Sequence, residues 1–126
     1  MERGYLIDTN VIIDYLANKL PEAGNQLIYE NVPKISVITR LELLSWPNAS
    51  EIQIQILEDF IDSSAIYNLD EDVILKTIEI RKKLKIKLPD SIIAANALVN
   101  DLTLLSRNVN DFKKIENLEI INPYII

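Results

Sequence analysis

Four acids lie far apart in the chain but at comparable places in its pattern. Asp8 ends the short apolar run Tyr5-Leu6-Ile7. Glu42 stands three residues after Thr39, just past Ile35-Ser36-Val37. Asp90 follows Pro89 and opens an alanine-rich stretch, and Asp111 lies in a polar loop after Thr103-Leu104-Leu105, three residues beyond Asn108. Brought within a few ångströms, such carboxylates repel one another, and at least one is driven to hold a proton. A divalent cation relieves that repulsion. It also orients a phosphodiester, polarises a phosphoryl oxygen and acidifies a bound water. The chain has no histidine and no cysteine. Thiolate and imidazole ligands, cysteine nucleophiles and histidine bases are therefore all excluded. A metal here is held by oxygen, which points to Mg²⁺ or Mn²⁺.

The elements around these acids alternate between strand and helix. Tyr5-Leu6-Ile7 reads as a buried parallel strand, with Asn10 as the cap of a helix carrying Val11, Ile12, Tyr15 and Leu16. Pro21 opens a helix over residues 21–29, and Asn31-Val32-Pro33 breaks it. Residues 35–37 form a second strand. Thr39 then caps a helix with Glu42 as its capping-box partner, and Pro47 ends it. Residues 50–62 repeat Ile52, Ile56, Leu57, Phe60 and Ile61 at helical spacing, and residues 65–69 form a third strand. Asp70 caps a helix whose inner face is Val73, Ile74, Thr77, Ile78 and Leu84; its end, residues 81–87, holds five of the 13 Lys and Arg residues. Residues 91–100 are helical, 103–105 a fourth strand, 106–112 a loop entering a helical turn, and 118–121 a last strand. This is the pattern of a parallel sheet with helices on both faces. In such a fold the loops after the strands gather at one edge, where ligands bind. Asp8 and the loop from Asn108 to Asp111 meet there if the first and fourth strands are neighbours.

At 126 residues and 48% hydrophobic content the chain is read as one domain, residues 1–126, with a full core. Glycine-rich phosphate loops are excluded, because there are two glycines. No signal segment and no stretch of 18 apolar residues is present, so a soluble, cytoplasmic protein is expected, with no membrane contact. A net charge of −6 argues against a general nucleic-acid coat but not against local contact with a nucleic acid. Each acid has a bland reading: Glu42 and Asp90 as caps, Asp111 as a turn former. The basic run is either a solvated helix end or a phosphate rail leading to the acids. Arg40 and Arg107 are the single residues best placed for a phosphate contact. Trp46 and the tyrosines read as core or interface.

Four stretches together resemble the successive motifs of PIN-domain ribonucleases, in particular the VapC-type toxins of toxin–antitoxin pairs. They are Leu6-Ile7-Asp8-Thr9-Asn10, the run from Ile35 to Leu44, Leu88-Pro89-Asp90-Ser91-Ile92-Ile93-Ala94-Ala95, and Leu105-Ser106-Arg107-Asn108-Val109-Asn110-Asp111-Phe112. The resemblance runs to Ile121-Asn122-Pro123. It implies a three-layer α/β/α fold with strand order 3-2-1-4-5, and endonucleolytic cleavage of RNA dependent on Mg²⁺ or Mn²⁺. Asp8, Glu42 and Asp90 match the family's three best-kept acids. By that likeness Asp8 and Asp90 are direct ligands and Glu42 a direct or water-mediated one. Asp111 is expected to be the fourth carboxylate, with Asn108 a neutral ligand or positioner, and Thr9, Asn10 and Ser106 in support. A homodimer inhibited by a VapB-like antitoxin is implied, with the antitoxin groove sought around Leu20, Leu27 and Ile28. The runner-up is a non-catalytic PIN-like module that binds RNA or protein. A receiver-like signalling domain fits poorly, because Ser106-Arg107 stands where such a domain needs a lysine.

Overall fold

Side chains alternate across a strand, so a strand with apolar residues at successive positions needs cover on both faces. A computed structural model, which describes residues 4–126, meets that need. Strands β1 (Tyr5–Ile7), β2 (Lys34–Ser36), β3 (Ala65–Tyr67), β4 (Thr103–Leu105) and β5 (Ile120–Ile121) form one sheet in the order β3-β2-β1-β4-β5, with every pairing parallel. This is the three-layer α/β/α arrangement that the strand and helix pattern implied. Leu6 and Leu104 point into one apolar cluster, with Val73, Ile80, Ile93 and Phe112. Ile7, Ile35 and Leu105 point into the other, with Val11, Ile12, Ile28, Leu43 and Phe60. Helices α5 (Glu71–Lys83), α6 (Leu88–Val99) and α7 (Val109–Phe112) cover the first face. Helices α1 (Thr9–Leu16), α2 (Glu22–Tyr29), α3 (Val37–Leu44) and α4 (Glu51–Asp62) supply the second.

Several boundaries differ from the sequence-based expectation, and capping chemistry explains the shifts. Asp8, not Asn10, caps α1, its carboxylate accepting from Thr9 N. Ser36, not Thr39, caps α3, and it accepts from Ile38 N. Thr39 is thereby moved into the helix and buried, and the capping box with Glu42 does not form. The capping box that does form joins Ser50 and Gln53 at α4. Helix α6 starts at Leu88, so Asp90 lies inside its first turn and is not the cap. On α4, Ile52 and Ile56 are exposed while Leu57, Phe60 and Ile61 are buried. On α5, Ile80 is buried and Ile78 is exposed. Ile28 is a core residue, and Leu20 and Leu27 are half-buried, so these three do not form an open groove.

Glycine is scarce because Asn18, Asn48, Asp101 and Asn117 supply the left-handed turns, a conformation their short polar side chains tolerate. Gly24 serves a different purpose. A Cβ there would lie 2.0 Å from the Pro123 carbonyl oxygen. Gly24→Ala would gain about 1 kcal/mol of helix propensity. The clash is with backbone and cannot be relieved by a side-chain rotation, and overpacking of this kind costs about 1–3 kcal/mol. The substitution is expected to lower the denaturation midpoint in urea; an unchanged or raised midpoint would show that the C-terminal segment yields freely.

Candidate metal-binding cleft

β1 and β4 lie side by side, with Ile7 opposite Leu105, so the residues that follow them are neighbours at the carboxyl edge of the sheet. Asp8 N donates to the Leu105 carbonyl at 3.0 Å. The Asp8 carboxylate is held at both oxygens: Oδ1 accepts from Thr9 N at 2.9 Å, and Oδ2 accepts from Ser106 Oγ at 2.8 Å. Ser106 is fully buried and in turn accepts from Asn108 N at 3.0 Å. Thus the fourth strand's loop is tied to the first strand's acid across 98 residues of chain.

Glu42 reaches the same edge from α3. Thr9 Oγ1 donates to Glu42 Oε1 at 2.6 Å. With its one proton committed there, Thr9 Oγ1 acts as the acceptor in its 3.1 Å contact with the hydroxyl of buried Thr39. Asp90 enters from the first turn of α6, where a negative charge is favoured by the helix dipole. Asp8, Thr9, Asn10, Glu42, Asp90 and Asn108 line one open cleft of about 450 Å³, with Lys87 and Arg107 at its margin. Arg107 lies with its guanidinium 4.9 Å from the centre of the Tyr124 ring. The Tyr124 hydroxyl donates to Asp14. Burial and that hydrogen bond raise the Tyr124 phenol above the ordinary tyrosine value, so it stays a donor. Nothing in the sequence marked Tyr124 or Asp14 as a brace for Arg107. Arg40 is exposed on α3 and is not among the residues lining the cleft.

Asp111 stands apart from Asp8 and Glu42. It is exposed on α7 and lines an adjoining trough that shares Lys87, Asp90 and Asn108 with the cleft. Asp90 feels its charge, whereas Asp8 feels those of Asp90 and Glu42.

The electrostatics follow from this arrangement. Burial holds the Asp8 carboxyl above the ordinary aspartate value; the hydrogen bonds from Ser106 and Thr9 oppose the shift, and the charges of Asp90 and Glu42 add to it. Burial likewise raises Asp90, the Glu42 charge adds to the effect, Lys87 opposes it and Asp111 adds again. Among the described residues no three acids stand close enough to chelate one ion as they are. The donor set still suits Mg²⁺ or Mn²⁺. It consists of hard carboxylate oxygens with mutually unfavourable charge, and Mg²⁺ keeps several waters and takes one or two carboxylates directly. Carboxylates that line one cleft without forming a closed cage fit that habit better than they would fit Ca²⁺, which takes about six to eight oxygen ligands.

Residues 5–118 match the family described as PIN domain. No curated protein matches the chain. Among solved structures it is similar to a chain of a toxin–antitoxin complex from Klebsiella pneumoniae, at 29% identity and a TM-score of 0.77, over 98% of this chain and 100% of that one. It is also similar to a chain of DNA-bound VapBC from Salmonella typhimurium, at 26% identity and a TM-score of 0.84, over 95% of this chain and 98% of that one. FitAcB from Neisseria gonorrhoeae shares the fold at 22% identity and a TM-score of 0.73, over 97% and 99% of the two chains.

Proposed function

Since the chain belongs to the PIN-domain family, we propose that it is a metal-dependent endoribonuclease, the toxin of a type II toxin–antitoxin pair. The observation that carries the reading is the cleft in which Asp8, Glu42 and Asp90 face one another, with two of the three held above the ordinary aspartate value. A bound Mg²⁺ or Mn²⁺ supplies charge neutralisation at the phosphodiester and a water acidic enough to attack phosphorus. Asp8 and Asp90 would hold the ion directly, and Glu42 would hold it directly or through water. Ser106 aims Asp8, and Thr9 aims Glu42. Asn10 and Asn108 present neutral polar groups at the cleft wall. Arg107, braced by Tyr124, meets the phosphate, and Arg40 stands further out as a second cation for the strand. Asp111 is the outer carboxylate, strengthening Asp90's hold on the ion by its charge.

The relatives from Klebsiella pneumoniae and Salmonella typhimurium were solved as complexes, a toxin–antitoxin complex and DNA-bound VapBC. By that likeness a VapB-like antitoxin covers this chain; the proposal also takes the protein as one PIN-like domain in a cytoplasmic homodimer. No helix among the described residues is long and apolar enough to cross a membrane. The groove for the antitoxin is moved from Leu20, Leu27 and Ile28 to the apolar surface between α1 and α4. Ile13, Leu16, Ala17, Trp46 and Ile56 line it, and Trp46 and Ile56 are exposed there.

Purified protein is expected to cut RNA with Mg²⁺ or Mn²⁺ and not with EDTA. Glu42→Gln is expected to reduce the rate by about 10–100-fold, the range for a residue acting partly through water and second-shell contacts. Asp111→Asn is expected to cost less than Glu42→Gln; the reverse order would put Asp111 in the first coordination sphere. The lack of a ready-made three-acid cluster among the described residues favours the second reading, a non-catalytic module that holds RNA or protein. RNA bound but left intact at millimolar Mg²⁺ and Mn²⁺ would decide for it.

A further inference from the structure

Beyond the cleft the most unusual surface is the run Lys83-Leu84-Lys85-Ile86-Lys87, in which Lys83 closes α5 and residues 84–87 link it to α6. Leu84 has extended backbone dihedrals (φ −131°, ψ 147°), and so does Lys87 (φ −63°, ψ 146°). Alternate side chains of an extended segment point to opposite sides. Leu84 and Ile86 are half-buried against the sheet's first apolar cluster, while Lys83, Lys85 and Lys87 are exposed. The apolar pair therefore dictates where the cations point. Arg81 Nε donates to the Ile86 carbonyl at 3.4 Å and helps hold the segment in this form. Lys83 stands at the end of α5, and within the link that follows Lys85 and Lys87 stand two residues apart, a spacing of about 7 Å in extended backbone. That repeat is close to the phosphate-to-phosphate step of an unstacked nucleic-acid strand.

The three lysines line the trough that adjoins the acidic cleft, and Lys114 stands in the same trough. Lys87 and Asp90 belong to both, so the two are continuous. In a chain with a net charge of −6, a concentration of cations opening directly onto the acids is specific in its placement. Lys83 also stands 3.8 Å from Glu79, but both are well exposed, and such a pair is worth little against a phosphate. No aromatic side chain lines the trough, so bases have nothing there to stack on.

We propose that Lys83, Lys85 and Lys87, with Lys114 opposite, form a backbone-reading track that carries single-stranded RNA to or from the acidic cleft. The RNA as ligand rests on the nuclease reading. The track itself is a statement about phosphate contacts that is read without cleavage. It holds the strand by charge and is indifferent to base identity along its length. The narrow period of its cations suits one strand, whose phosphates can follow an extended peptide.

The test is the binding of a fluorescent single-stranded RNA to the full chain in EDTA, followed by anisotropy across a salt series. Each phosphate contact with a single strand contributes about 0.7 to the slope of log affinity against log salt. Lys83→Ala/Lys85→Ala/Lys87→Ala is expected to lower that slope by about 2 and to weaken binding by roughly tenfold at moderate salt. The matching triple Arg variant is expected to keep both, which excludes misfolding as the cause. Oligouridine and oligoadenine are expected to bind alike. An alanine variant with the wild-type slope would overturn the track while leaving cleavage untouched. RNA bound through the track but not cut with Mg²⁺ would remove the nuclease reading and keep the track. Binding of an acidic peptide but not of RNA would overturn the proposal and give the lysines to a protein partner.

Discussion

Asp8→Asn is expected to abolish metal-dependent RNA cleavage and at the same time to raise the melting temperature of the protein at neutral pH. Both effects come from one carboxylate. Asp8 is held in a buried setting, near Asp90 and Glu42, that favours its neutral form. Its folded-state pKa lies above the ordinary value of 3.8. Below that ordinary value Asp8 is protonated whether the chain is folded or not, and it costs nothing. As pH rises from there towards the raised folded value, the unfolded chain ionises first, and stability is lost. Above the folded value the loss is complete and constant. Asp90 acts with the same sign. Asparagine keeps the geometry: its oxygen still accepts from Thr9 N, its amide donates to Ser106 Oγ, and it is among the best N-cap residues. The charge is removed, and the bond to Ser106 reverses direction, since Ser106 Oγ is the donor to Asp8 Oδ2 in the wild type.

On the proposed nuclease reading Asp8 is a direct ligand, and the catalytic loss should then be large, because such a ligand carries part of the charge stabilisation in the transition state. A fall of about 10³-fold corresponds to about 4 kcal/mol. Melting curves from about pH 4 to pH 7 should show the wild type losing ground to the variant as pH rises. Adding Mg²⁺ should stabilise the wild type by mass action and leave the variant nearly unmoved. Cleavage that survives in Asp8→Asn would remove Asp8 from the reaction. A variant less stable than the wild type at neutral pH would show that hydrogen bonding, not charge repulsion, governs this site.

The strand ends were the most legible part of this chain. A short apolar run that stops at an acid is compatible with a cap or turn as well as with a buried strand, and it was the recurrence of acids after later strands that favoured the rim. Asp8 lies there and caps α1 as well. The parallel pairing followed from strict alternation of strand and helix, whereas the strand order came only with the family resemblance. Helix starts were harder to read, because two candidate caps often stand within three residues. Ser36 and Thr39 both qualify by type, and Ser36 prevails because β2 delivers it to the rim with its hydroxyl free to accept from Ile38 N. The same shift explains Glu42. Read as a capping-box partner it would have turned back on its own helix; one turn further along, it faces Thr9. The link over residues 84–87 was legible only as charge. Its alternation of lysine with Leu84 and Ile86 has the period of an extended chain, which the overall density of lysines obscured. Tyr124 gave no signal, since its partners Asp14 and Arg107 are remote in sequence and each has an ordinary surface reading. Asn96 did give one. A lone amide among Ile92, Ile93, Ala94, Ala95 and Ala97 is out of place on an apolar helix and has to be satisfied from elsewhere.

That amide is the subject of the second large effect. Asn96→Leu is expected to lower stability by about 3 kcal/mol, although leucine is the more apolar residue and similar in volume. Asn96 and Ser36 are both fully buried. Ser36 Oγ donates to Asn96 Oδ1 at 2.6 Å while capping α3, and Asn96 Nδ2 donates to the Asn68 carbonyl at 3.1 Å. Leucine leaves the Ser36 hydroxyl without its acceptor and the Asn68 carbonyl without its donor. The fully buried Ser36 hydroxyl costs about 1–3 kcal/mol when stranded and the carbonyl of exposed Asn68 less, together more than the extra apolar contact returns. The network also has a functional side. It ties the start of α3, which carries Glu42, to the middle of α6, which carries Asp90. Loosening it should let the two acids drift and weaken the Mg²⁺ response along with the fold. A double-mutant cycle separates the pair from its surroundings. Ser36→Ala/Asn96→Leu removes both partners of the 2.6 Å bond, so the double variant should be more stable than the sum of the singles predicts, offset by the lost cap on α3. Additive losses would mean that Ser36 and Asn96 act independently, and that the spacing of Glu42 and Asp90 is held by apolar packing alone.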